Sequence, residues 1–126
     1  MEQVQTPQRR VLIVDDEAGV RESLRMVLKN TYEAVAVSSA PEAVSQLAAG
    51  SVDVVLLDIV MPNRNGYDIL RSLKKDERTR HTPVVLVTSK NQESDRIWGK
   101  RQGADEYVMK PFTPEQLLTV VRRFVK

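Results

Sequence analysis

The sequence predicts an α/β fold in which a five-stranded parallel sheet is covered by helices on both faces. Five apolar runs, Val11–Val14, Tyr32–Val37, Val52–Leu57, Val84–Val87 and Glu106–Met109, alternate with stretches of helical period. Strands alternating with helices imply parallel crossover connections. Three of the runs are β-branched and almost continuously apolar, as strands buried on both faces read.

After the first run, Val20, Leu24, Val27 and Leu28 stand at i, i+4, i+7 and i+8, one apolar helical stripe. Ser39-Ala40-Pro41-Glu42 has capping-box spacing, and Gly50 supplies a stop. Gly66 precedes Ile69, Leu70 and Leu73, a short amphipathic set. Asn91 to Gln102 reads as a fourth helix ending at Gly103; Ile97 and Trp98 are its only large apolar residues, so few buried contacts are expected to hold it. Thr113-Pro114-Glu115-Gln116 is a second capping box with Pro at the first helical position, leading into Leu117, Leu118, Val121, Phe124 and Val125. The five units occupy 10–126, so one domain is expected there, after a flexible N-terminal tail over 1–9.

Composition narrows the function. A chain of 126 residues can bury a core without disulfides or a structural metal. The absence of cysteine excludes thiolate chemistry and fits a reducing compartment. No apolar run approaches the ~20 residues that span a bilayer, and Met1 to Arg10 lacks a signal-peptide stretch. The expectation is a cytoplasmic protein with no membrane insertion. A net charge of +2, with Lys and Arg scattered among Asp and Glu, gives no concentrated basic face, so no nucleic-acid partner is expected.

In open parallel sheets, ligands sit outside the carboxyl ends of the strands. Asp15 and Asp16 follow the first run, Asp58 ends the third, Thr88 and Ser89 end the fourth, and Lys110 follows the fifth. Singly, each has a plain explanation: Asp16 as a helix N-cap, Asp and Thr as strand terminators, Lys110 as a loop residue. Together they are harder to dismiss. Carboxylates 4 Å apart repel by ~1 kcal/mol per pair in water and ~4 at an effective dielectric of 20, so the cluster calls for a cation. A few hard oxygen ligands suit Mg²⁺, and Lys110 adds a fixed positive charge. Such a pocket suits a phosphoryl group, and a carboxylate can be the nucleophile that receives it. Asp58, ending the central run before the turn Met61-Pro62-Asn63-Arg64-Asn65-Gly66, is the candidate. The Thr88 hydroxyl and the Lys110 ammonium could then hold the phosphoryl oxygens.

Four segments, Val11-Leu12-Ile13-Val14-Asp15-Asp16-Glu17, Leu56-Leu57-Asp58-Ile59-Val60-Met61-Pro62 with Gly66, Val85-Leu86-Val87-Thr88-Ser89, and Gly103 to Phe112, resemble in type, order and spacing the receiver domain of two-component response regulators. The resemblance covers nearly the whole chain from Arg10 on. It implies a flavodoxin-like (βα)5 fold with strand order 2-1-3-4-5. It implies Asp58 as phosphoacceptor and Asp16 as direct Mg²⁺ ligand, with Asp15 acting through a metal-bound water and the Val60 backbone carbonyl completing the set. Lys110 would pair with the phosphoryl group, its bond to Pro111 cis, and Thr88 and Tyr107 would form a switch pair. Val60 and Lys90 fall where the family varies its dephosphorylation rate. Asp95-Arg96-Ile97-Trp98-Gly99 with Arg101-Gln102-Gly103-Ala104 is similar to single-domain receivers of twitching-motility, chemotaxis-type systems.

The resemblance implies a phosphorylation-dependent switch that catalyses only its own phosphotransfer and dephosphorylation. Its partners would be a histidine kinase or phosphotransfer protein and a downstream effector, met as a monomer or weak dimer through the surface of the fourth helix, fifth strand and fifth helix. A phosphorelay intermediate or a phosphate sink are the alternatives. An Asp-nucleophile phosphatase would need a second acid–base Asp where Val60 stands. An FMN module would need a Ser/Thr/Gly-rich loop where Asp15-Asp16-Glu17 would repel phosphate. An inert scaffold would have lost the acidic pair or the lysine. His81, the one histidine, sits in a polar stretch before Pro83 and reads as a loop residue.

Overall fold

The structure is a computed structural model that describes residues 9–50, 52–61, 64–89 and 92–125, with the side chains of 60, 61, 64 and 65 outside that description. The tail expected over 1–9 therefore falls outside it except for Arg9, whose carbonyl accepts the Glu33 N–H at 2.8 Å.

The elements run β1 (Arg10–Val14), α1 (Ala18–Leu28), β2 (Glu33–Val37), α2 (Ala40–Ala48), β3 (Val54–Leu57), β4 (Val60–Met61), β5 (Arg64–Asn65), α3 (Gly66–Lys75), β6 (Val84–Thr88), α4 (Glu93–Arg101), β7 (Glu106–Met109) and α5 (Pro114–Phe124). Five strands form one parallel sheet in the order β2-β1-β3-β6-β7. Counted along the sheet strands alone, this is the expected 2-1-3-4-5. The turn after Asp58 is more than a turn: β4 and β5 pair antiparallel, Val60 opposite Asn65 and Met61 opposite Arg64.

Strand side chains alternate between faces, and two apolar layers result. Leu12, Val14, Val55, Leu57 and Leu86 pack with Ala43 and Leu47 of α2 and with Ile69, Leu70 and Leu73 of α3. Val11, Ile13, Val54, Leu56, Val85 and Val87 face the other way, against Leu24 and Leu28 of α1 and Leu117 and Val121 of α5. Each of the three central strands thus feeds both layers, which is why their sequences show no polar alternation.

The α5 capping box forms completely: Gln116 N–H donates to Thr113 Oγ1 at 3.1 Å, and Thr113 N–H to Gln116 Oε1 at 2.8 Å. At α2 only half of the expected box forms. Glu42 N–H donates to Ser39 Oγ, but the Glu42 carboxylate takes the hydroxyls of Ser38 and Ser39 instead of a backbone N–H. Gly50 and Gly103 adopt φ of 112° and 111°, the left-handed region that lets a chain leave a helix end.

Neither Ile97 nor Trp98 seats α4. They stay 47% and 48% exposed, and the buried residue of that helix is Gly99. A Cβ there would lie 2.8 Å from Leu86 Cδ1 and 3.5 Å from the Tyr107 ring. The helix lies close to the sheet because it offers backbone, not a side chain, at the point of contact.

Candidate functional site

The loops at the carboxyl ends of β1, β3, β6 and β7 carry the acidic, hydroxyl and lysine side chains to one edge of the sheet, and the backbone fixes them there. Asp15 N–H donates to the Val37 carbonyl at 3.2 Å, Asp58 N–H to the Val14 carbonyl at 3.1 Å, and Lys110 N–H to the Thr88 carbonyl at 2.8 Å. Each of these residues sits one step beyond its strand yet keeps a bond to the neighbouring strand.

Lys110 Nζ lies 2.9 Å from Asp58 Oδ2 and 3.5 Å from Asp15 Oδ2. Both carboxylates are buried, at 7% and 2% exposure. Burial pushes the Asp15 carboxyl above its usual range, opposed by the Glu17 N–H that it accepts at 2.9 Å and by the Lys110 charge; the nearby Asp58 charge pushes it further up. The Lys110–Pro111 bond is cis, as the resemblance implies.

Sequence reading placed three carboxylates in one cluster. The structure gathers two, Asp15 and Asp58, about one ammonium, with Asp16 half-buried beside them. Among the described residues, no three His, Cys, Asp or Glu side chains converge into a ready-made metal cage. Asp16 is not the helix cap either: Glu17 occupies that position, without a side-chain cap bond. Val60 opens β4, and Lys90 lies outside the described residues. His81 is exposed beside Arg80.

Thr88 is fully buried at the end of β6. Tyr107, opposite Leu86 in the neighbouring strand, is 6% exposed. Burial, with smaller contributions from Tyr67, Asp95 and Asp58, pushes its phenol up to about 12 despite the opposing Arg96 charge.

Two residues that sequence reading missed, Arg21 and Tyr67, and one it read only as part of a turn, Gly66, frame the site. Arg21 of α1 donates to the Asp15 carbonyl at 2.7 Å. Gly66 packs where a Cβ would collide with Ile59 Cα and lie 2.6 Å from the Asp58 carbonyl oxygen. Tyr67 reaches from α3 to α4, its ring edge-on to Trp98. Glycine after a turn was the one available signal, and it did not distinguish a stop from a close approach.

Two of the hollows among the described residues border these elements. One of about 710 Å³ runs between α1 and the β7–α5 loop, lined by Val20, Leu24, Val27, Lys110 and Phe112. The other, of about 500 Å³, lies where β7 meets α5, lined by Arg96, Tyr107, Met109, Glu115 and Thr119. No helix among the described residues is long and apolar enough to cross a membrane.

Comparison with known proteins agrees with this geometry. Protein PilH of Pseudomonas aeruginosa is 42% identical over 113 residues, covering 89% of this chain and 93% of that protein. The phosphate regulon transcriptional regulatory protein PhoB of Escherichia coli is 37% identical over 119 residues, covering 94% of this chain; the chain spans 52% of that regulator's length. The solved structure of the Vibrio cholerae chemotaxis protein CheY4 superposes with a TM-score of 0.85 at 27% identity, covering 93% of this chain and 98% of that one. Residues 11–122 match the sequence profile of the response regulator receiver domain. That span takes in every strand-end residue described above, and the chain belongs to the response regulator receiver family.

Proposed function

We propose that this protein is a phosphorylation switch in which Asp58 accepts a phosphoryl group from a phosphohistidine donor. The observation that carries the reading is the ammonium of Lys110, 2.9 Å from Asp58 and 3.5 Å from Asp15, at the strand ends. An Asp58 oxygen would form the new O–P bond as the donor's P–N bond breaks, the electron pair leaving on the imidazole. Lys110 is placed to stay with the phosphoryl oxygens as negative charge moves onto them, and the Thr88 hydroxyl, at the end of the neighbouring strand β6, would donate to them.

The residues fit Mg²⁺. Two buried carboxylates and no soft ligand match a cation that takes one or two carboxylates and keeps its waters. Asp15, Asp16, Asp58 and the Val60 carbonyl would hold it, and it would supply charge neutralisation during transfer. Asp15 is held for that role by the Glu17 N–H on its side chain and by Arg21 on its carbonyl.

Output would pass through a protein surface. Tyr107 forms part of the wall of the hollow bordered by Arg96 and Met109, so movement of Thr88 and Tyr107 would change its shape. A histidine kinase or phosphotransfer protein on the input side, an effector protein on the output side, and a cytoplasmic setting complete the reading. The likeness to the chemotaxis protein CheY4 favours a chemotaxis-type output over a relay or a phosphate sink.

Incubation with a small phosphodonor and Mg²⁺ should add one phosphoryl group, measured by intact mass. Asp58→Asn should accept none. Stable labelling of that variant at His81 or at a hydroxyl residue would overturn the assignment.

A further inference from the structure

Helix α4 touches the sheet through a glycine, yet α3 grips it at both ends. Tyr67 of α3 donates its hydroxyl to the Asp95 carbonyl at 3.5 Å, and its ring meets Trp98 edge-on with centroids 6.4 Å apart and planes at 82°. Arg71, four residues on and so on the same face of α3, donates to Gln102 Oε1 at 3.0 Å, where α4 ends. The hydroxyl contact is long enough to be weak. The edge-to-face ring pair is the stronger tie.

The other end of this connection is the loop that carries Asp58. Gly66 N–H donates to the Ile59 carbonyl at 3.2 Å, and the glycine packs directly on the Ile59 and Asp58 backbone. Tyr67 is the next residue. A shift of the Asp58–Ile59 backbone must therefore move the start of α3, and the first side chain to move with it is the one that touches α4. The half-exposed Trp98 also gains a reason: its ring meets that of Tyr67 edge-on.

We propose that Tyr67 and Trp98 form a latch fixing α4 to the Asp58 loop, so that occupancy at Asp58 reaches α4 along α3 as well as through Thr88 and Tyr107. The transmission half rests on the reading of Asp58 as phosphoacceptor; the latch itself does not.

The test compares the 126-residue wild type with Tyr67→Phe, which keeps the ring, and Tyr67→Leu, which removes it. In metal-free protein, amide hydrogen exchange in α4 should be about tenfold faster in Tyr67→Leu, the scale of one lost aromatic pair. Exchange in α1 and α5 should stay unchanged, and Tyr67→Phe should behave as wild type. Unchanged α4 protection in Tyr67→Leu would overturn the latch. So would an equal acceleration through α1, α4 and α5, which would make Tyr67 a general core residue.

Exchange is then repeated with beryllofluoride and Mg²⁺, bound fluoride being counted by fluorine NMR. Wild type and both variants should bind it, and the resulting change in α4 protection should fall below half in Tyr67→Leu. A full wild-type change in that variant would overturn transmission along α3. Absence of bound beryllofluoride in the wild type would instead sink the phosphoacceptor reading and transmission with it, while the metal-free exchange still decides the latch.

Discussion

Lys110 Nζ and Asp58 Oδ2 are 2.9 Å apart, and the same ammonium reaches Asp15 at 3.5 Å, so two buried carboxylates share one cation. Removing that cation leaves like charges facing each other at low solvent exposure. Lys110→Ala should therefore destabilise the protein at pH 7 by about 1–3 kcal/mol, reduced from the full cost of breaking a buried pair because Lys110 is partly exposed. Urea unfolding at pH 7 and at pH 4 measures this, and the loss should shrink at the lower pH, because burial raises the Asp15 carboxyl above its usual range and its charge is the first to go. Equal stability of variant and wild type at pH 7 would mean the ammonium compensates nothing.

Two glycines predict opposite tolerance. A methyl group at Gly66 meets backbone, Ile59 Cα and the Asp58 carbonyl, which cannot step aside. Gly66→Ala should cost ~3 kcal/mol, at the high end for overpacking. A methyl group at Gly99 meets the tip of Leu86, which can rotate, and the helix gains ~1 kcal/mol of propensity in exchange. Gly99→Ala should stay within about 1 kcal/mol of wild type. Thermal unfolding of both separates the cases.

Mg²⁺ at a hundredfold excess over its Kd should stabilise the protein by ~2.7 kcal/mol through linkage. Asp16→Ala should abolish that gain while leaving the metal-free protein folded, since Asp16 is neither the helix cap nor part of the Lys110 cluster. A thermal shift with Mg²⁺ that survives in Asp16→Ala would put the cation elsewhere.

Tyr107 gives a pH dependence with a definite sign. Its folded pKa is pushed up to about 12 from an ordinary 10.0. Above pH 10 the unfolded chain releases this proton while the folded one keeps it, so stability present below pH 10 is lost as pH rises toward 12. The slope should be on the order of 1 kcal/mol per pH unit. Tyr107→Phe lacks the proton and should unfold with a shallower dependence between pH 10 and 11.5. Parallel curves for the two proteins would contradict the burial of this phenol.

The strands and the order of site residues were legible because both depend on patterns along the chain. Val54-Val55-Leu56-Leu57, short and half β-branched, reads as a strand buried on both faces, and Asp58 directly after it then falls at the sheet edge. What escaped was set across the chain. Whether Asp15 and Asp58 meet at a cation, or Asp16 joins them, depends on side-chain directions that spacing does not encode. The seating of α4 escaped for a different reason: apolar counting credits Ile97 and Trp98, whereas the contact is made by Gly99, which has no side chain to count. Arg21 left no signal in the sequence, because its partner is the backbone carbonyl of Asp15.

The backbone bonds of Asp15, Asp58 and Lys110 to neighbouring strands have a consequence for how this edge can change. Each residue's Cα is set by the ladder, through bonds its side chain does not make. Replacing a carboxylate by an amide, or the lysine by another amine, changes the reagent and leaves its mounting in place. Substitutions at these three positions should therefore behave like exchanges of tools in fixed holders, and differences between them can be read as chemistry, free of backbone displacement. The opposite holds at Gly66, where the holder itself is the residue.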